Sequence, residues 1–174
     1  MELHRLFRFP GGDFSPSPAQ YRLGRLDPPL GRSDEYGVLY TSDAFFTAAL
    51  EFGALLQLPT DPPTYERVHD TNTELPPIQH VILRSQEDLK FIDFTDHATA
   101  SVFGLDLKSV LDDVRPWREA AAKAVGLLRE AEKAAALVGI SYASKRNPAA
   151  TNYALLDGKY QYYLTAQNQG AIFR

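Results

Sequence analysis

Proline and glycine decide what this chain can become. Twelve prolines and 11 glycines are spread through its 174 residues, and they cut it into short pieces. Between Asp13 and Asp34 stand Pro16, Pro18, Pro28, Pro29, Gly24 and Gly31. That is too many breakers for regular structure and too long a stretch for an ordinary connection, a kind of segment that carries function or stays disordered. A second proline-rich, polar stretch from Gln57 to Pro77 reads as an excursion within one domain, because neither flank alone holds a full core. The remaining pieces are short, alternating segments and few helices. They predict an α+β fold, a single domain over 1–174 with a mostly antiparallel twisted sheet and flanking helices.

The pieces read as follows. Leu3 to Phe9 alternates apolar and polar residues as a half-buried strand does, and Pro10-Gly11-Gly12 ends it. Gly37 to Thr41 is a short strand feeding a helix from Ala44 to about Leu56, with Ser42 or Asp43 as its cap. On that helix Phe45, Phe46, Ala49, Leu50, Phe52, Gly53 and Leu56 form the apolar arc, which predicts core. Ala44, Thr47, Ala48 and Glu51 form the opposite stripe. Ile78 to Arg84 and Leu89 to Phe94 read as a hairpin across Ser85 to Asp88, followed by a short helix near Ala98 to Phe103. Pro116 suits a first helical turn, and Trp117 to Leu137 is the surest helix, with Gly139 as its stop. Its positions Ala121, Val125, Leu128, Ala131 and Ala135 predict one face on a sheet and one in water. Ile140 to Ser144, Tyr153 to Leu156 and Tyr160 to Leu164 read as further strands.

Composition excludes several classes of function. There is no cysteine, which removes disulfides, thiolate metal sites and thiol nucleophiles and is compatible with a reducing cytosol. No apolar run approaches a membrane span, and Met1 to Arg5 is not followed by the apolar stretch of a signal peptide, so a cytoplasmic protein without a membrane role is expected. A net charge of −4 and a pI near 5.5 offer no general attraction to nucleic acid, so any anion site is local. His4, His69, His80 and His97 lack helical i, i+4 pairing, and no metal is expected. The absence of G-x-G-x-x-G argues against a dinucleotide-binding dehydrogenase.

Four places can carry chemistry. Arg5, Arg8, Arg22, Arg25 and Arg32 all precede the first lysine, Lys90. Arginine grips carboxylate or phosphate through a planar fork, so this segment lines a phosphate pocket or is a set of solvated cations balanced by nearby acids. Arg25 lies on the proline-rich loop, either reaching a ligand or pairing with Asp27 in solvent. Glu51 stands among small side chains, facing a cleft or facing water. Tyr142 to Pro148 places a hydroxyl and two cations at the end of a strand, as a site or as a polar turn.

In their order along the chain these features resemble a known family. Arg25-Leu26-Asp27-Pro28-Pro29, Tyr40 in Gly37-Val38-Leu39-Tyr40, Glu51 in Ala48-Ala49-Leu50-Glu51, Phe91-Ile92-Asp93-Phe94-Thr95 and Gly139 to Ser144 are similar to the motifs of the RES domain. The resemblance runs from Leu3 to about Leu156. It implies a fold like that of ADP-ribosyltransferase toxins and the role of toxin in a bacterial toxin–antitoxin pair. It also implies NAD⁺ as substrate, with water or inorganic phosphate as acceptor, and no prosthetic group. The resemblance aligns Arg25, Tyr40, Glu51 and Ser144 with the family's functional residues, and the long loop between Arg25 and Tyr40 leaves Arg32 open to the arginine role.

Those residue types suit the implied reaction. Breaking the nicotinamide–ribose bond builds positive charge on the ribose, which the Glu51 carboxylate would stabilise while orienting the acceptor. Arg25 or Arg32 would hold the pyrophosphate. Tyr40, Tyr142 and Ser144 would bind the substrate and keep a reactive conformer. Two other readings use the same residues: a mono-ADP-ribosyltransferase acting on a protein, and a binding module without turnover. The resemblance also implies a helix-turn-helix antitoxin as partner, which would supply any DNA contact, and a homodimer within that complex.

Overall fold

The computed structural model describes residues 1–69, 75–108 and 113–173. Nine strands and three α-helices run in the order β1 (Glu2–Phe7), β2 (Val38–Ser42), α1 (Phe45–Phe52), β3 (Leu55–Leu58), β4 (Thr64–Arg67), β5 (Ile78–Ser85), β6 (Lys90–Asp93), α2 (His97–Val102), α3 (Val114–Glu130), β7 (Leu137–Ala143), β8 (Thr151–Leu156) and β9 (Leu164–Phe173) among the described residues. Seven strands form one sheet in the order β6-β7-β8-β2-β1-β5-β9, and β3 and β4 form a separate pair. The fold is α+β, and every neighbour in the large sheet is antiparallel except β6 and β7.

The sheet is buried on both faces, and the strand period sorts its residues between them. Val38, Ile140, Tyr142, Ala154 and Leu156 pack with Trp117, Ala121, Val125 and Leu128 of α3 and with Phe94 and Phe103. Their chain neighbours Leu39 and Leu155 join Leu3, Val81, Leu83 and Val138 in a second cluster closed by Tyr160 and Leu164. Adjacent residues falling into opposite clusters is what a period of two requires. A third cluster seats Ala48 and Ala49 of α1 on Leu6 and Ile78.

Several expectations are corrected. The segments around Ser85 to Asp88 do not form a hairpin: β5 pairs with β1 and β9, whereas β6 pairs in parallel with β7. Parallel neighbours need a crossover, and α2 and α3 supply it. The long helix ends at Glu130, seven residues before Leu137, where Ala131 turns extended. Gly139 is no helix stop but lies inside β7, where a side chain would strike the Ala154 carbonyl oxygen at 2.2 Å. α1 is shorter than expected, stopped by Gly53 at φ 80°, and its cap position Ala44 offers no side-chain bond. Ser42 and Asp43 do not cap it because both bond to β8, at Asn152 and the Thr151 amide. Of its expected apolar arc, Phe46 and Phe52 are exposed, while Thr47 and Ala48 are buried. Tyr160–Tyr162 is a 3₁₀ turn, and the last strand begins only at Leu164. The excursion from Gln57 to Pro77 contains the β3–β4 pair, and its residues 70–74 lie outside the described residues.

No helix among the described residues is long and apolar enough to cross a membrane.

Candidate active site

The site opens at a seam in the sheet. β1 and β2 share one registered pair, His4 with Ser42, whereas every other ladder of the large sheet runs through four or more. A missing ladder leaves backbone groups that need partners. Arg5, 6% exposed, fills that need: its Nε donates to Gly12 O at 2.7 Å and its Nη1 to Tyr40 O at 2.9 Å. Burial lowers its pKa to about 10, which still leaves it charged at neutral pH. Beside this seam lies a cleft of about 570 Å³, bounded by β1, β2, the end of α1 and the start of α3. That volume suits a small-molecule ligand.

Glu51, on the last turn of α1, lines the cleft. Four donors converge on its Oε1: Ser144 Oγ at 2.5 Å, Lys145 N at 3.0 Å, Asn152 Nδ2 at 3.0 Å and Arg146 N at 3.4 Å. Bonds to a carboxylate are stronger than neutral ones, so this set fixes its position. The donors are themselves held. Ser144 Oγ accepts from the amides of Asn147 at 2.9 Å and Arg146 at 3.2 Å, and Asn147 Nδ2 donates to Thr47 Oγ1 of α1 at 3.2 Å. Asn152 is oriented by Ser42 Oγ, which donates to its Oδ1 at 2.6 Å. The turn after β7 is thus docked on α1, with the carboxylate between them.

Arg25 lines the same cleft. Its guanidinium rests over the rings of Trp117 at 5.1 Å and Tyr142 at 5.3 Å, a shelf built by α3 and β7. The loop beneath is tied to β2. Tyr40 Oη accepts from Leu26 N at 2.9 Å, and Asp27 Oδ2 accepts from Gly24 N at 2.6 Å. Gly24 has no alternative there, since a side chain would meet Tyr40 Oη at 2.5 Å. Burial pushes the Asp27 carboxyl up, opposed by the Gly24 amide, Arg118, Arg22 and the Tyr40 hydroxyl. Burial likewise raises the Tyr40 and Tyr142 phenols, so both stay neutral.

The structure therefore gathers Glu51, Arg25, Tyr40 and Tyr142 around one cleft, with Ser144 buried behind Glu51. The Ser144 hydroxyl donates to Glu51 and does not line the cleft. Arg32 does not line the cleft. It is exposed and bidentate to Glu35 at 2.6 and 2.7 Å, whereas Arg25 lines the cleft. The sequence reading misses Asn152 altogether and counts Arg5 only among the N-terminal arginines that could line a phosphate pocket, not as the brace of the seam. Arg5 had a signal: it shares the strand face of Leu3 and Phe7, both buried. Asn152 had none, because an asparagine in a strand is unremarkable until its partner is known. Cations Arg5, Arg8, Arg25, Lys145 and Arg146 line the cleft against the acids Glu51 and Asp113, so an acidic chain presents a positive pocket suited to an anion.

His4 also lines the cleft, and its Nδ1 lies 3.1 Å from His80 Nε2 with the rings stacked. Burial holds both imidazoles below their ordinary 6.5, outweighing Glu2 and Asp43 on His4 and Glu2 on His80. The unfolded chain thus binds protons at higher pH than the folded one. Stability from this pair is full above the unfolded value and is lost as pH falls through the folded values. The urea midpoint should drop between about pH 7.5 and about pH 5, and His80→Gln should flatten the slope. An unchanged slope in that variant would refute the assignment.

Among the described residues no group of three or more His, Cys, Asp or Glu is placed to hold a metal ion. No curated protein matches the sequence. The profile of the RES domain does match it, over residues 2–170. With that match spanning nearly the whole sequence, the chain belongs to the RES domain family.

Proposed function

We propose that this RES domain cleaves the nicotinamide–ribose bond of NAD⁺, by hydrolysis or phosphorolysis, and acts in the cytoplasm as the toxin of a toxin–antitoxin pair. RES domains are in general NAD-processing proteins, which supports the substrate class. The observation that carries the reading is a carboxylate, Glu51, fixed by four donors in a cleft that also holds Arg25 on an aromatic shelf.

The chemistry follows from those two groups. Nicotinamide leaves neutral, and the positive charge of bound NAD⁺ passes to the ribose as an oxocarbenium-like centre. A preorganised carboxylate stabilises that charge without reorganising when it develops. By analogy with glycosidases, Glu51 also orients the acceptor and takes its proton. Arg25 grips the pyrophosphate by charge-assisted bonds and holds the dinucleotide in a reactive pose. Ser144 donates to Glu51 Oε1 and leaves the other carboxylate oxygen for the ribose side. Ser144→Ala removes one charge-assisted bond worth about 1.5–3 kcal/mol, which predicts a roughly 10- to 100-fold fall in turnover. Initial rates on the two proteins check it, and a fall below about threefold contradicts the role.

The acceptor is tested by incubating purified protein with adenine-labelled NAD⁺, with and without inorganic phosphate, and weighing the labelled product. Free ADP-ribose means hydrolysis, a phosphorylated ADP-ribose means phosphorolysis, and label on protein means transfer. Intact NAD⁺ throughout would refute the proposal. In cells, expression of the chain alone should deplete NAD⁺ and arrest growth, and a helix-turn-helix antitoxin should relieve it.

A further inference from the structure

Arg25 belongs to a segment with little regular structure, yet its reading as a pyrophosphate anchor requires a fixed position. Two other arginines account for that. Arg22 closes the loop on itself, donating to Ser17 O at 2.9 Å and to Ser33 O and Tyr36 O at 2.7 Å. Arg118 reaches in from α3 and donates to Gly24 O at 3.1 Å, Pro28 O at 3.3 Å and Arg22 O at 3.5 Å. The carbonyls of Gly24 and Pro28 bracket Arg25, Leu26 and Asp27. The neighbour of Arg118 on the helix is Trp117, whose ring lies under the Arg25 guanidinium. One turn of α3 thus holds both the backbone and the side chain of the same residue.

Arg118 is only 4% exposed. A buried guanidinium is a poor way to stabilise a core, because an apolar side chain of similar volume fills the space without desolvating a charge. Its use lies in its geometry: a planar fork reaches several carbonyls at fixed angles, which a lysine ammonium does not. We infer that Arg118 is a positioning residue that presents Arg25 to the pyrophosphate of the substrate. This rests on the reading of Arg25 as the phosphate anchor given above.

Trp117 is the only tryptophan in the chain, so its emission reports on the Arg25 shelf. Titration of the wild-type protein with inorganic pyrophosphate should change that emission saturably. Arg118→Lys keeps a charge and a long stem but loses the fork, and should weaken pyrophosphate binding on the order of tenfold. Arg118→Gln, which leaves no unpaired charge in the core, should show the same loss and serves if the lysine variant does not fold. In turnover, either variant should raise KM for NAD⁺ by that factor with kcat within about twofold. Calorimetry with pyrophosphate on an Arg25→Gln background should show less than about twofold further loss from Arg118→Lys, because both changes remove one interaction.

Additive losses, an affinity within about twofold of wild type in folded variants, or no saturable response in the wild type would each overturn the inference. The two readings fail separately. Wild-type protein that binds pyrophosphate with this coupling but releases no nicotinamide sinks the reaction and keeps the role of Arg118. Nicotinamide release without the coupling does the reverse.

Discussion

Glu51→Gln should lower nicotinamide release from NAD⁺ about 10³-fold. The amide is close in shape to the carboxylate, and its carbonyl oxygen can still accept from Ser144, Lys145 and Asn152, which meet a single oxygen in the native protein. The turn after β7 therefore stays docked on α1. What disappears is the negative charge, at the moment when positive charge develops on the ribose. Binding should change far less than rate, because the group proposed to hold the pyrophosphate is Arg25, on the loop before β2, resting over the rings of Trp117 and Tyr142. Initial rates at saturating NAD⁺, with thermal melts to verify folding, make the comparison. A rate within about tenfold of wild type would remove Glu51 from the chemistry.

The second large effect concerns folding. Gly139 sits in β7 between β6 and β8, opposite Phe91 and Leu155. A Cβ there would lie 2.2 Å from the Ala154 carbonyl oxygen and 3.0 Å from the Leu155 Cα. Those are backbone atoms of β8, so no rotamer change relieves the clash and the strand pair must separate. Gly139→Val should cost about 3 kcal/mol or more, a large share of the roughly 5–15 kcal/mol that holds a domain folded. Urea melts and amide exchange in β8 would measure it. A midpoint unchanged from wild type would mean that β7 and β8 do not approach this closely.

The same glycine shows where sequence reading succeeds and where it stops. Its place after an alanine-rich helix suggested a helix end, because a lone glycine signals a stop or a close approach with equal force. Only the partner strand decides between them. Alternation located β1, and helical spacing located the body of α3, which buries one face and leaves the other wet. Strand β2, buried or half-buried along its whole length, was legible only as a short apolar run, and α1 was found with part of its buried face misassigned. Periodicity could not say that β6 joins β7 and leaves β5 alone, because pairing is decided by residues far apart in sequence. β9 stayed hidden for another reason. Thr165 to Gln169 stands at the sheet edge, exposed, and carries no apolar alternation to find.

Much of the site was legible through the motifs that resemble the RES domain, which place Arg25, Tyr40, Glu51 and Ser144 in order along the chain. Their directions were not. Ser144 was expected to face substrate, yet its hydroxyl is turned to Glu51. Tyr40 was expected to present its ring, and its hydroxyl also secures the Leu26 amide. Arg118 carries no signal in the sequence beyond its place on an amphipathic helix, although it lies buried against loop carbonyls. Side-chain direction and long-range partners need the fold, and residue type with spacing does not contain them.

The most direct test of the account is the time course of nicotinamide release when purified, folded wild-type protein meets NAD⁺. Release should be linear in protein concentration and matched mole for mole by an ADP-ribosyl product. No nicotinamide above the spontaneous background, with inorganic phosphate present and absent and with protein acceptors supplied, would contradict it.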